Sequence, residues 1–112
     1  MATYSLKRFV PATTLTTSAT TLYTVTSPAT SAVVKQILVA NYSASAASVT
    51  IYIVPSGSSA SNSNVVVPGV SISANSTITL DLTQVLNQGD FISGVSSASS
   101  SINLMISGYE VA

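Results

Sequence analysis

Apolar and polar residues alternate along much of this chain with the period of a β-strand. Between residues 76 and 83, Ile78, Leu80 and Leu82 alternate with threonine and aspartate. Residues 49–53 and 102–107 show the same pattern, with valine, isoleucine or leucine at the recurring position. Because successive side chains of a strand point to opposite faces, each segment predicts a strand with one buried and one exposed face.

The segment at residues 32–42 is apolar at both odd and even positions, interrupted only by Lys35, Gln36 and Asn41. A β-branched run of this kind predicts a central strand that is covered on both sides or lies at a subunit interface. Further strands are predicted from shorter apolar segments at residues 20–26, 91–96 and 4–10. The whole chain therefore predicts seven or eight short strands.

Turn-forming residues separate these segments. Glycine, proline, asparagine or clustered serine occurs at Ser27-Pro28, 43–47, 55–57, Pro68-Gly69, 74–76 and 88–90. Spacing of about 8–12 residues between such signals favours a sandwich or barrel over alternating strands and helices. Gly108 predicts a bulge in the last strand. Residues 83–87, with Thr83 as the cap, predict the one helical turn.

These patterns predict an all-β fold, an antiparallel β-sandwich of the jelly-roll or immunoglobulin-like type with at most one helical turn. The low-complexity segment at residues 56–64 is short enough to be an exposed loop within the domain. We therefore predict a single β-sandwich domain at residues 12–112, preceded by an N-terminal arm or edge strand at residues 1–11.

The amino-acid composition excludes most types of catalytic site. The chain has no histidine and no cysteine, so one chain cannot form a Ser–His or Cys–His pair or an imidazole metal site. Lys35 beside one of the 22 serines, or a calcium site from Asp81, Asn87 and Asp90, would be the remaining options. We interpret Lys35 as a lone cation that snorkels or discourages wrong strand pairing, and Asp90 as a turn residue. We expect a non-enzymatic protein with no cofactor and no metal.

The number and placement of charged residues indicate whether nucleic acid or a membrane surface could be a partner. Three basic and three acidic residues give a formal net charge of zero, and the three cations are scattered along the chain. Nucleic-acid and membrane-surface binding both need clustered lysine and arginine, so we expect neither. The N-terminus lacks the apolar stretch of a signal peptide, and no segment has the length of a transmembrane helix.

Charged residues make up only 5% of the chain, against about 25% in a typical domain. Long uncharged strands pair edge to edge unless their edges are occupied. We therefore expect the edges and much of one face to be buried against copies of the chain or another protein. The residues expected at such contacts are outward-facing apolar or aromatic side chains and two cations of the N-terminal arm, namely Tyr52, Val54, Met105, Tyr109, Lys7 and Arg8.

The succession of strands and turns resembles small virion proteins of tailed bacteriophages. The segments that carry the resemblance lie at residues 19–25, 32–41, 49–57, 72–82, 86–90 and 106–111, and together they cover most of the chain from about Ala12 onward. The resemblance implies a β-sandwich that decorates capsids or belongs to tails and fibres, and it brings no catalytic residues.

The function expected from this resemblance is that of a capsid decoration (cement) protein. Such a protein would be located in the virion, would form a homo-oligomer, with a trimer favoured, and would bind the major capsid protein or another virion protein. The alternatives are a tail, neck or fibre component, or a receptor- or glycan-binding module that uses Tyr42, Tyr52 or the loop at residues 56–64.

Overall fold

In the computed structural model, residues 3–26 and 29–112 are described, and these residues form eight strands and no helix. The strands are β1 (Tyr4–Thr14), β2 (Thr20–Thr24), β3 (Ser31–Asn41), β4 (Ala47–Val54), β5 (Val65–Ile72), β6 (Ser76–Asn87), β7 (Phe91–Ser96) and β8 (Ile102–Val111). Met1 and Ala2 of the predicted arm, and the predicted turn at Ser27 and Pro28, lie outside the described residues. The rest of that arm lies largely in β1.

The strands form two antiparallel four-stranded sheets. The first sheet has the order β1-β8-β3-β6, and the second has the order β2-β7-β4-β5. Each strand of the first half of the chain pairs with one of the second half, β1 with β8, β2 with β7, β3 with β6 and β4 with β5. This is a long hairpin rolled into two facing sheets, which is the jelly-roll topology. The predicted antiparallel sandwich is confirmed, in its jelly-roll variant.

The core lies between the sheets and follows the alternation in the sequence. Ile102, Leu104 and Ile106 of β8 have no exposed surface, and Val49 and Ile51 of β4 are equally buried. Burial of such side chains contributes about 1.5–3 kcal/mol each. The inward faces of the strands are therefore those that the sequence predicts.

The apolar segment at residues 32–42 forms the central strand β3, which is paired on both sides, with β8 and β6. Its inward residues Ile37 and Val39 are buried in the core. On its outward face, Val33 is also buried and Leu38 is half-buried. The predicted central position of this strand is confirmed, and its covering on both sides or at a subunit interface stays a prediction.

The predicted helical turn at residues 83–87 is wrong. This segment is the last part of β6, and its ladder with β3 extends to the pair Ser31–Asn87. The register shifts beside Lys35, where two residues of β6 lie opposite one residue of β3. That bulge interrupts the local alternation, while the partner strand supplies the hydrogen bonds that keep the segment extended.

The predicted turn at Pro68-Gly69 is also wrong, because both residues lie inside β5. Two residues of β5 lie opposite Thr50 of β4 at this point, and Gly69 has a φ of 57°. The Gly69 amide donates to Thr50 Oγ1 at 3.2 Å. A proline without an amide hydrogen is tolerated here because β5 is the outermost strand of its sheet. Pro68 and Gly69 therefore mark a bulge within β5 and not a turn between two strands.

Candidate interaction surface

We call the side of the first sheet that points away from the core the outer face. It carries an exposed group of apolar side chains. On β8, Leu104 and Ile106 point into the core, so Met105 and Tyr109 point outward. Residues paired across strands share a face, and the register places Leu6 beside Tyr109 and Leu38 beside Met105. Val85 of β6 pairs with the outward residue Val33, so the outer face crosses β1, β8, β3 and β6.

Four of the five large apolar side chains that are exposed in the described part of the chain lie on this outer face. They are Tyr4, Leu6, Val85 and Met105, and the fifth is Tyr42. Leu6 is 93% exposed, and Met105 is 39% exposed. Apolar side chains scattered singly over a surface are ordinary, whereas a group on one face is typical of an interaction site.

Two of the sequence-predicted contact residues, Met105 and Tyr109, lie on the outer face. The ring of Tyr109 lies 6.1 Å from the ring of Tyr4, tilted by 58°. Tyr4 and Leu6 were not among the predicted residues. Both belong to the predicted strand at residues 4–10, whose first four residues alternate between apolar and polar, and that short alternation is the signal that identifies them.

The other two predicted apolar contacts are on the opposite side of the sandwich. Tyr52 is half-buried on β4 of the second sheet, between Ser93 and Val65. Val54 shares the outward parity of Tyr52, since its neighbour Ile53 packs against the core, but it has no exposed surface and is not accessible as a contact residue. The loop after β4 folds back, with Ile53 N donating to Asn64 O at 3.0 Å. The alternation of side chains along a strand does not predict that the following loop will cover the end of that strand.

The predicted cations Lys7 and Arg8 line a groove at the edge of the outer face. The groove has a volume of about 460 Å³, and its lining residues are Leu6, Lys7, Arg8, Lys35, Ser107, Gly108 and Tyr109. All three basic residues of the chain therefore line one groove, although Lys7 pairs with Gly108 on the inward parity of β1 and its ammonium lies near Glu110. The interpretation of these cations as scattered is wrong, because Lys7 and Arg8 are consecutive and β8 brings β1 and β3, which carries Lys35, to either side of itself.

One carboxylate lies close to this groove. Lys7 Nζ is 3.9 Å from Glu110 Oε1, and the Tyr23 hydroxyl donates a hydrogen bond to Glu110 Oε2. Burial of the phenol, its hydrogen bond to Glu110 and the charge of that carboxylate raise the pKa of Tyr23 above its usual range. The phenol therefore stays protonated and continues to donate to Glu110 at neutral and moderately alkaline pH.

The carboxylate of Asp90 accepts hydrogen bonds from the backbone. Its two carboxylate oxygens accept from Ser56 N and Asn87 N, each at 2.9 Å. This agrees with its interpretation as a turn residue. In the part of the chain that the structure describes, no group of three or more histidine, cysteine or acidic residues is placed to hold a metal ion. No helix in that part is long and apolar enough to cross a membrane.

The fold and this surface define a jelly-roll β-sandwich with an apolar outer face and a basic groove at its edge. No protein family model matches the chain, and no curated protein matches it. Among solved structures, it is similar to a chain in the structure of infectious bursal disease virus Gx strain, with a TM-score of 0.53 and 11% identity. The likeness covers 99% of this chain and 31% of that one. This likeness shows the fold alone. The present chain spans about a third of the length of the chain that it matches.

Proposed function

We propose that this protein is a non-enzymatic structural protein of a virion. In its specific form the proposal is a capsid decoration (cement) protein of a tailed bacteriophage, which self-associates and binds the shell formed by the major capsid protein. The observation that carries the proposal is the exposed apolar outer face of the first sheet, where Leu6 and Met105 lie. An apolar face of this kind is stabilised when a partner protein covers it.

Three further observations support the proposal. The sequence resembles small virion proteins of tailed bacteriophages, and jelly-roll sandwiches are a common architecture of virus shells. The structural neighbour is a chain from a virus structure. In addition, only 5% of the residues are charged, and so few charges favour permanent association with other protein chains over a free monomer in solution.

Binding to phage heads tests the proposal. Purified protein would be mixed with expanded heads that lack it and, separately, with tails of the same phage. We expect saturable co-sedimentation with the heads and a higher temperature of head opening. The double variant Leu6→Ser with Met105→Ser should bind the heads at least tenfold more weakly, because it removes two exposed apolar contacts of the outer face.

Thr21→Ala is the control, since Thr21 is exposed on β2 of the second sheet and is therefore not an outer-face residue. It should bind the heads as the unchanged protein does. Binding to tails alone would contradict the capsid assignment and favour a tail, neck or fibre component. Binding to neither particle would contradict a virion role altogether.

A further inference from the structure

The groove at residues 6–8, 35 and 107–109 concentrates the positive charge of a protein whose formal net charge is zero. Lys7 and Arg8 come from β1 and Lys35 comes from β3, with β8 between the two strands. Lys7 and Arg8 are consecutive, so the long-range feature is that Lys35 of β3 lines the same groove of about 460 Å³. The groove is thus a local basic site on a surface that is otherwise poor in charge.

Two bulges shape this groove. The register between β1 and β8 shifts at Phe9, and the register between β3 and β8 shifts at Lys35. Both shifts lie beside Ser107 of β8. Bulges change the direction of neighbouring side chains and are common beside functional sites. Here they bend the strands that carry the cations, on both sides of the same residue.

The cations are only partly neutralised within the chain. Lys7 is 3.9 Å from Glu110, near the limit of an ion pair. Lys35 Nζ donates to the Thr83 hydroxyl at 3.1 Å. Among residues 3–26 and 29–112, no carboxylate oxygen lies within 4.0 Å of the Arg8 guanidinium or the Lys35 ammonium. Asp81 is on the next strand, where its Oδ1 lies 3.4 Å from Gln36 Nε2 and accepts from it. Two exposed cations are therefore available to an outside anion.

An apolar pocket continues from the basic groove. It has a volume of about 230 Å³ and is lined by Tyr4, Ser5, Leu6 and Tyr109. Leu6 and Tyr109 line both the groove and the pocket. A ligand that fits both would carry an anionic group beside an apolar side chain. That combination is typical of a protein segment in which acidic and apolar residues are close together.

We infer that the groove binds an acidic segment of another protein. A carboxylate of the segment is held by Arg8 and Lys35, and a neighbouring apolar side chain packs against Tyr4, Leu6 and Tyr109. Guanidinium groups bind carboxylates through two parallel hydrogen bonds, which gives direction as well as charge. Nucleic acid is a poorer match, because three cations neutralise at most about three phosphates. The inference goes beyond the proposed function, since it holds for a head, tail or other partner.

Nuclear magnetic resonance titration of the 112-residue chain tests the inference. The probe is the acetylated and amidated peptide Gly-Glu-Leu-Glu-Leu-Glu-Gly, and its neutral match has glutamine in place of glutamate. We expect the acidic peptide to cause saturable amide shifts at residues 6–8, 35 and 107–109. Arg8→Gln and Lys35→Gln should each weaken binding about fivefold, as expected for an exposed ion pair. High salt should also weaken it.

Asp81→Asn is the matched control, because it removes a nearby surface charge of the opposite sign. It should bind the acidic peptide at least as tightly as the unchanged protein. Unshifted spectra of the Arg8 and Lys35 variants away from the substitution would show that the fold is intact.

Three results would overturn the inference. One is the absence of shifts in the groove, and another is equal binding of the glutamine peptide. The third is tighter binding of inorganic phosphate or of a thymidine oligonucleotide, which would assign the groove to phosphate or to nucleic acid. Head binding without peptide binding would count against this inference alone, and peptide binding without head binding would count against the proposed function alone.

Discussion

Asn41 is the buried polar side chain with the most complete set of partners in the described part of the chain. Its Nδ2 donates to Ser45 O at 2.9 Å and to Ile72 O at 3.0 Å. Its Oδ1 accepts from Ser43 N at 3.0 Å and from Ser43 Oγ at 2.8 Å. Ile72 belongs to the second sheet, so this one side chain joins the two sheets and also holds the loop between β3 and β4.

We expect Asn41→Ala to lower the free energy of unfolding by about 1–3 kcal/mol, because buried carbonyls lose their donor. Equilibrium unfolding in urea would measure the change. Asn62→Ala, in the exposed loop at residues 56–64, is the control and should change stability by less than about 0.5 kcal/mol. Equal stability of the two variants would show that water replaces the partners of Asn41.

Gly108 shows how one residue allows a strand to sit between two bulged neighbours. A Cβ atom at this position would lie 1.9 Å from Val33 O and 2.9 Å from Cε2 of Phe9. The predicted bulge at Gly108 is in the neighbouring strands instead, since β8 continues without interruption to Val111. Glycine is needed here for close approach of the backbone of β3, and not for an unusual backbone angle.

We expect Gly108→Ala to destabilise the protein by about 3 kcal/mol or more, because the β3 backbone must move to accept the methyl group. Thermal unfolding followed by circular dichroism would show the loss. Ser107→Ala, at the exposed neighbouring position, should melt close to the unchanged protein. A similar melting temperature for both variants would mean that β3 shifts at little cost.

The whole molecule combines a well-filled core with a surface that has few charges. Solvent contact with an apolar outer face is unfavourable, and a formal net charge of zero provides no repulsion between copies. Each sheet also has two outermost strands, β1 and β6 in the first sheet and β2 and β5 in the second. Unpaired strand edges favour further association.

We expect the purified protein to be a homo-oligomer, with a mass three times the 11.4 kDa of one chain. A trimer matches the three-fold positions of a capsid shell. Size-exclusion chromatography with light scattering would give the mass, and an interface that is mainly apolar should keep it unchanged between low and high salt. A monomer at every concentration would contradict a preformed oligomer. Assembly on the particle alone would then be the form of the proposal to test.

Local patterns were sufficient for the class of fold and for the inward face of most strands. The alternation of Ile102, Leu104 and Ile106 is visible along the chain, and their burial follows from it in any sheet with one covered face. The same holds for β3, whose composition marks a central strand. These features depend on neighbours in sequence, so the sequence alone determines them.

Contacts between distant segments were decided by the tertiary structure. The pairing of β6 with β3 kept residues 83–87 extended, and the loop after β4 buried Val54. The insertion of β8 between β1 and β3 brought Lys35 to the two cations of β1. Which strands become neighbours depends on how the two halves of the rolled hairpin pack. No periodicity along the chain encodes that pairing, and so the basic groove is a property of the folded molecule.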